Sequence, residues 1–301
     1  MFAQFALPRR RSAPSWSILL AALLLTVARP TAAASLAYRV SIASTGNGGL
    51  DAALAATSDL QSLRSTAPVG AFGLIVRART DVDRLQTVLE SFGYYQSSVA
   101  ITIDQKPLAD PALPEVLAKT PRGHEARVTV NFVLGPLYRL GRIEIEGTVP
   151  AFARSALRLA PGDPAAAAGV LAGGVRMQGA LEEHGYAFAR VAPPVATLDE
   201  THHALSLDFH VVVGPHVHVG NIKIVGLKRV RASYVRRRLS LHRGDPYSPA
   251  AIERARLDLL DVGVFSAVSV RVGKSPDAAG GVPVTFEVRE RPRHAVSLNA
   301  A

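Results

Sequence analysis

Two stretches of this chain repeat one pattern: Gly135–Gly147 reads GPLYRLGRIEIEG and Gly214–Gly226 reads GPHVHVGNIKIVG. The two copies begin about 80 residues apart, a spacing that fits a small domain better than a short solenoid repeat. A second landmark recurs at nearly the same step, since Gly162-Asp163-Pro164 returns as Gly244-Asp245-Pro246. The sequence therefore predicts tandem domains built on one plan.

A fainter copy of the plan precedes these two. Tyr38-Arg39-Val40-Ser41-Ile42 has the alternation of an opening strand, and Phe92-Gly93-Tyr94-Tyr95 matches the segments around Gly185 and Gly263 in the later copies. We expect three units, called here the first, second and third unit. Their predicted bounds are residues 35–134, 135–213 and 214–291.

The third unit has the clearest element signals. Ser248 followed by Pro249 is typical of a helix start, and Gly263 is typical of a helix end. The predicted order is β-α-α-β-β, an α+β fold: strand His216–Val225, helix Ala232–Leu241, helix Ser248–Gly263, and a hairpin of Val268–Val272 and Val282–Glu290.

The second unit repeats this order, with a long helix weakened by four glycines because glycine costs up to about 1 kcal/mol relative to alanine. Its predicted elements are Leu140–Glu146, Pro150–Leu159, Ala165–His184, Ala189–Leu198 and Ala204–Val213.

In the first unit, Thr80 and Asp83 indicate a capping-box start of the long helix. Gly46–Gly49 is expected to be a turn, and the hairpin strands are Ser98–Asp104 and Ala126–Leu134. Pro107–Gly123 between them is predicted as an unusually long loop, either functional or mobile.

The first 34 residues have the pattern of a secretory signal. A basic segment at Arg9–Arg11 precedes the apolar run Ser17–Ala28, and Ala32-Ala33-Ala34 is a small-residue cleavage motif. A membrane anchor is disfavoured because the apolar run is shorter than the roughly 20 residues that a spanning helix needs. We expect cleavage between Ala34 and Ser35.

Charge and cysteine content narrow the function classes. The formal net charge is +10, of which about +6 remains without the signal, and export makes nucleic acid an improbable partner compared with anionic lipids or acidic proteins. The absence of cysteine excludes disulfides, Cys-ligated metals and a Cys nucleophile. No nucleophile-elbow sequence or phosphate loop indicates an enzyme, and no cofactor is implied.

Together, these motifs resemble the polypeptide-transport-associated (POTRA) domains. The resemblance rests on the G-x-I-x-I-x-G openings, on Gly244-Asp245-Pro246-Tyr247-Ser248-Pro249 before the long helix, and on Gly263-Val264-Phe265-Ser266 after it. The closing Phe286–Arg291 (FEVRER) is similar to the last such domain before an outer-membrane barrel. Three units in this order look most like the BamA/TamA superfamily of outer-membrane assembly factors, over roughly residues 36–301.

The resemblance implies an outer-membrane protein whose POTRA domains lie in the periplasm and assist insertion or secretion of other envelope proteins. It implies that residues 292–301 begin a β-barrel cut off at Ala301, so that the sequence is a fragment or, alternatively, a free periplasmic arm. The implied partners are a TamB-like periplasmic subunit anchored in the inner membrane, nascent outer-membrane proteins and autotransporters, and outer-membrane lipids, with no nucleic acid. A passive scaffold is the alternative; a two-partner-secretion transporter is less similar.

The resemblance also places the first hairpin strand at a sheet edge, where unpaired backbone groups can bind an extended peptide. Pro193 and Pro194 agree with an edge position in the second unit and would blunt that edge. The candidate client-binding edges are therefore in the first and third units; equally, a neighbouring unit could shield them. Their candidate residues are Val99, Ile101, Ile103, Ser269, Val270 and Val272.

Two polar clusters remain. Arg236, Arg237 and Arg238 belong to the densest basic run, either a solvated helix face or a surface for lipid headgroups or an acidic partner. Several histidines lie close in sequence, but no carboxylate or cysteine joins them at metal-ligand spacing, so solvent-facing strand residues are favoured over a zinc site. These are His202, His203, His210, His216 and His218.

Overall fold

The first 34 residues, Arg122 and residues 293–301 lie outside the part of the chain that the structure describes. The structure is a computed structural model that describes residues 35–121 and 123–292. Two predicted features therefore lie outside these ranges. They are the signal sequence, which ends at Ala34, and the start of the barrel beyond Pro292. Within them, no helix combines the length and apolar character that a membrane span requires.

The described residues form three sheets with helices packed on them, which confirms the predicted tandem α+β architecture. In each unit the last strand lies inside the sheet. It runs parallel to the unit's first strand and antiparallel to its hairpin partner. Each sheet consequently has the first strand on one side of the central strand and the hairpin partner on the other.

The third unit follows the predicted order, with Ser248 capping the long helix through a hydrogen bond from the Ala251 amide and Pro249 at its first position. Gly263, with φ +80°, follows this helix in the left-handed conformation. Its elements are β9 (Val219–Val225), α7 (Ala232–Arg238), α8 (Pro249–Asp261), β10 (Phe265–Val272) and β11 (Val282–Glu290), in sheet order β10-β11-β9.

The second unit has the same plan with one interruption. Pro193 and Pro194 divide the predicted strand Ala189–Leu198 into two short strands, because proline has no N–H for the ladder. Its elements are β5 (Arg139–Glu146), α5 (Ala151–Ala156), α6 (Ala167–Glu183), β6 (Arg190–Val191), β7 (Val195–Asp199) and β8 (Ala204–Val212). Both short strands pair with β8.

The first unit departs most from the sequence predictions. The long helix begins at Ala71, not near Thr80, because Leu74, Ile75 and Ala78 extend its buried stripe toward the N-terminus. Asn47 caps a helix that begins at Gly48, so only part of Gly46–Gly49 is a turn. The elements are β1 (Ala37–Ile42), α1 (Gly48–Thr57), α2 (Asp59–Ser62), α3 (Ala71–Ser91), β2 (Ser98–Ile103), β3 (Lys106–Pro107), α4 (Leu113–Ala118) and β4 (Glu125–Val133).

The segment predicted as a long loop, Pro107–Gly123, is not wholly irregular in its described residues. It contains α4, whose Leu113 and Leu117 are buried in the core of the first unit. Loop length alone could not reveal this helix, because only two of its apolar side chains face inward.

The repeated glycine at the end of each opening motif has a steric role. Gly147 and Gly226 have φ of +104° and +92°. A Cβ atom there would lie 2.6 Å from the Val211 carbonyl oxygen and 2.1 Å from the Val288 carbonyl oxygen, respectively. Only glycine therefore lets the chain leave the first strand so close to the central strand.

Candidate functional site

The edge strand of the third unit is β10, one of the two edges predicted to bind clients. It pairs with β11 along Phe265–Val272, and no other described strand pairs with its outer side. Val270 and Val272 are half-buried toward α8, whereas Ser269 is exposed. Its position at the edge leaves backbone groups available to an added strand.

The predicted edge in the first unit, β2, is partly covered. Ile101 and Ile103 are buried in the core and Val99 is half-buried, so these side chains hold the strand in place and do not face a ligand. The short strand β3 pairs with Thr102 and Ile103. Only the Ser98–Ile101 part of β2 therefore has an unpaired outer side among the described residues.

The second unit also presents an open edge, which the sequence analysis set aside because of its prolines. After Pro194, the chain resumes pairing with β8 for the five residues of β7. Every residue of β7 is exposed, including Val195 at 68% and Leu198 at 38%. The available signal was that an apolar and β-branched run, Val195–Leu198, continues directly after the prolines.

A groove lies between α6 and the short strand β6 of the second unit. Its volume is about 300 Å³, and its lining is mostly apolar. Gly174 leaves room in it, since a Cβ atom there would be in contact with Phe209 and Val191 at 3.6 and 3.7 Å. Pro193 and Pro194 line the groove directly before β7, so the groove adjoins the open edge.

The basic run lies on α7 and its surroundings. Arg236, Arg237 and Arg238 occupy the last turn of α7, where positive charge is favourable to the helix dipole, and all three are exposed. The Arg238 guanidinium lies 5.7 Å from the Tyr234 ring centroid. Among the described residues, none of the three arginines forms a salt bridge, so their charge is available to a ligand.

The carboxylate of Glu290 fixes the loop that leads into α7. It accepts hydrogen bonds from the amides of Lys228, Arg229 and Val230 at 2.7, 2.9 and 2.9 Å. The amide of Val230, followed by those of Lys228 and Arg229, lowers the pKa of Glu290 to about 2. This carboxylate is therefore charged at neutral pH and ties the basic surface to the end of β11.

The five clustered histidines do not converge. His202 contacts Asp199, His210 contacts Glu146, and His203 lies against the Tyr138 ring. His216 and His218 are neighbours, with ring centroids 5.6 Å apart. Across residues 35–121 and 123–292, no group of three or more His, Cys, Asp or Glu is placed to hold a metal ion.

Comparisons with known proteins point to one family. The profile of the POTRA family, described as "Surface antigen variable number repeat", matches residues 138–214 and 217–291. These ranges correspond to the second and third units and together make up half of the chain.

Two relatives are named "Outer membrane protein assembly factor BamA". The protein of Neorickettsia risticii is 28% identical over 119 residues, which are 40% of this chain and 15% of the relative. That of Nitratidesulfovibrio vulgaris is 35% identical over 75 residues, 25% of this chain and 9% of the relative. The matched part of this chain thus spans less than a sixth of either relative.

One solved structure that this chain matches is that of the Haemophilus influenzae BamA domains POTRA3-5. It is 20% identical, with a TM-score of 0.48, and the alignment covers 85% of this chain and 96% of that one. Since the family profile alone covers half of the residues, this chain belongs to the POTRA family.

Proposed function

We propose that this chain is the periplasmic part of an outer-membrane assembly or translocation factor of the TamA type. Its units hold unfolded envelope proteins by adding a client strand to an open sheet edge, and its basic surface docks to lipid headgroups or to an acidic partner. The role is docking, without bond chemistry. The observation that carries the proposal is the edge position of β10, whose outer side pairs with no described strand.

Strand addition suits a factor that handles many clients. Backbone N–H and C=O groups supply the affinity, so binding does not depend on one client sequence. The side chains of β10 fit this use, because Val268 and Val270 anchor the strand to the core while Ser269 faces solvent. The β2 and β7 edges are further sites for the same mode of binding.

Site-specific photo-crosslinking tests the edge assignment. A photo-crosslinking residue at Ser269 on β10 should capture an unfolded outer-membrane protein, whereas the same residue at Arg254 should not. Arg254 is the matched control because it is exposed on α8 of the same unit and belongs to no sheet edge. Equal capture at both positions, or none at Ser269, would support a passive scaffold.

The basic surface gives a second test. Replacing Arg236, Arg237 and Arg238 by serine should weaken binding to vesicles that contain anionic lipid, by about 1 kcal/mol per arginine near the surface. The loss should shrink at high salt because salt screens exposed charges. The control replaces Arg39, Arg142 and Arg271, which are equally exposed but paired with carboxylates; an equal loss there would indicate a net-charge effect only.

We propose a TamB-like subunit as the partner of such a factor and autotransporters among its clients. The intact mass of the native protein in fractionated cell envelopes tests the TamA-like assignment. A product longer than 301 residues in the outer-membrane fraction is expected. A soluble product from Ser35 to Ala301 would contradict it.

A further inference from the structure

The junctions between units share one backbone arrangement. At the first junction, the Tyr138 amide donates to the Gly93 carbonyl oxygen at 2.9 Å, and the Ala165 amide donates to the Tyr138 carbonyl oxygen at 3.0 Å. At the second junction, the Val217 amide donates to the Gly185 carbonyl oxygen at 2.8 Å. In both cases the incoming chain is bonded to the glycine that follows the preceding unit's long helix.

The second junction has an additional side-chain connection. Glu183, the last residue of α6 in the second unit, accepts a hydrogen bond from the Ala250 amide at 2.9 Å and one from the Ser248 hydroxyl at 2.5 Å. Ser248 in turn accepts from the Ala251 amide at 3.1 Å. The carboxylate of one unit thus completes the N-terminal cap of α8 in the next unit.

Among the described residues, the first junction has no carboxylate cap at the start of α6; its side-chain hydrogen bond across the junction is donated by the Tyr95 hydroxyl to the Ala165 carbonyl oxygen, at 3.2 Å. Ser91 occupies the position of Glu183, but its hydroxyl donates to the Val88 carbonyl oxygen of its own helix. Ala166 occupies the position of Ser248, and no side chain caps the start of α6. The two junctions differ because Ser91 stands in place of Glu183, and Ala166 in place of Ser248, at equivalent positions of the repeat.

We propose that Glu183 is a latch that joins the second and third units into one body, while the first junction lacks such a latch. The physical basis is the helix start, where unpaired amides and the helix dipole favour a carboxylate. Bending at the second junction would separate Glu183 from α8 and leave the Ala250 amide without its acceptor. The latch keeps the open edges of β7 and β10 at a constant separation.

Distances between paired spin labels test the latch in the full chain. The absence of native cysteine makes introduced cysteines the only labelling sites. Ala172→Cys with Arg254→Cys spans the second junction, and Thr87→Cys with Ala172→Cys spans the first; all three positions are exposed on helices. We expect a narrower distance distribution across the second junction than across the first.

The variant Glu183→Ala should broaden the 172–254 distribution and leave the 87–172 distribution unchanged. Ser91→Ala, at the equivalent position of the first unit, should change neither. An unchanged 172–254 distribution in Glu183→Ala, or equal broadening at both junctions, would overturn the proposal.

Amide hydrogen exchange supplies a second measurement that does not depend on labels. In Glu183→Leu, which removes both oxygen acceptors but keeps most of the bulk of the side chain, the Ala250 amide should exchange roughly fivefold faster than in the wild type. The Ala251 amide, capped by Ser248 within its own unit, should change less. Unaltered exchange at Ala250 would contradict the latch, even if Glu183→Ala fails to fold.

Discussion

Glu290 shows how a single carboxylate can organise a surface that contains no acidic residue of its own. Three consecutive amides and the Arg229 side chain converge on it, and its side chain is only 6% exposed. This arrangement accounts for a pKa of about 2, below the ordinary value of 4.5. In the sequence, Glu290 stands out only as part of the closing FEVRER segment.

The lowered pKa predicts the direction of a pH dependence. The stability that Glu290 contributes is fully present above pH 4.5 and is lost as the pH falls toward about 2, where the folded protein also becomes protonated. The melting temperature of Glu290→Gln should therefore lie below that of the wild type at about pH 6, and the gap should narrow below about pH 4.

The control for this prediction is Glu287→Gln on the same strand. Glu287 is 39% exposed and, among the described residues, forms a salt bridge with Arg271 alone, so its replacement should have a small effect at either pH. The difference in melting temperature between the wild type and Glu290→Gln could instead stay the same from pH 6 to below pH 4. That result would mean that Glu290 does not stabilise the protein through its charge.

At the scale of elements, α6 shows that glycines of one helix can have opposite roles. Gly169 is exposed, and a Cβ atom there would meet nothing within 4 Å. At Gly173, a Cβ atom would lie 3.0 Å from both the Leu157 carbonyl oxygen and the Leu159 Cδ1 atom. In the sequence, both glycines count equally as residues that destabilise the helix. In the structure they differ, because only Gly173 has neighbouring atoms close to where a side chain would lie.

Gly169→Ala should accordingly raise the free energy of unfolding by about 0.5–1 kcal/mol, because alanine restricts the unfolded chain without a clash. Gly173→Ala should lower it by about 1–3 kcal/mol, because Leu157 and Leu159, in the segment that follows α5, must shift. Urea denaturation of the two variants measures both values. Stabilisation by Gly173→Ala would show that the α5–α6 contact adapts easily.

At the scale of the whole molecule, the two junctions use tyrosine in reciprocal positions. Tyr95 of the first unit packs against the core of the second and donates to the Ala165 carbonyl oxygen at 3.2 Å. At the second junction the equivalent of Tyr95 is Ala187, and the equivalent of Ala165 is the buried Tyr247. The tyrosine therefore comes from the earlier unit at the first junction and from the later unit at the second.

This arrangement predicts a graded response at the first junction. Tyr95→Ala should reduce the free energy of unfolding by about 2 kcal/mol, because it removes a half-buried ring. Tyr95→Phe should cost about 1 kcal/mol, because it removes only the hydrogen bond. Urea denaturation measures the loss of stability, and the 87–172 label distance shows whether the junction changes. Equal losses of stability in Tyr95→Ala and Tyr95→Phe would indicate that the ring contact contributes nothing.

Much of the architecture follows from the sequence. The repeat predicted the β-α-α-β-β plan, Ser248 and Pro249 predicted the start of α8, and the two prolines agreed with an edge position in the second unit, although the division of that strand was not predicted. These signals depend on neighbours close in the chain, namely caps, turns and period-two alternation, so they can be recognised without coordinates.

The sequence predictions that were wrong concern features that depend on packing. The early start of α3 and the presence of α4 depend on side chains that become buried only when helices pack together. Local capping residues such as Thr80 and Asp83 carried a helix signal that this packing overrode. Likewise, the partial cover of β2 by β3 involves only two residue pairs, too few to leave a sequence pattern.

The repeat in the sequence was enough to predict three units, the element order of the second and third units, and the likeness of those two units to one family, because periodicity and glycine placement encode local backbone geometry. Only the tertiary structure decided which edges are open, that Glu290 anchors the basic loop, and that Glu183 reaches across a junction. Those features join residues about 60 or more positions apart. Contacts over such separations arise from how the strands and helices pack, and no local pattern in the chain records them.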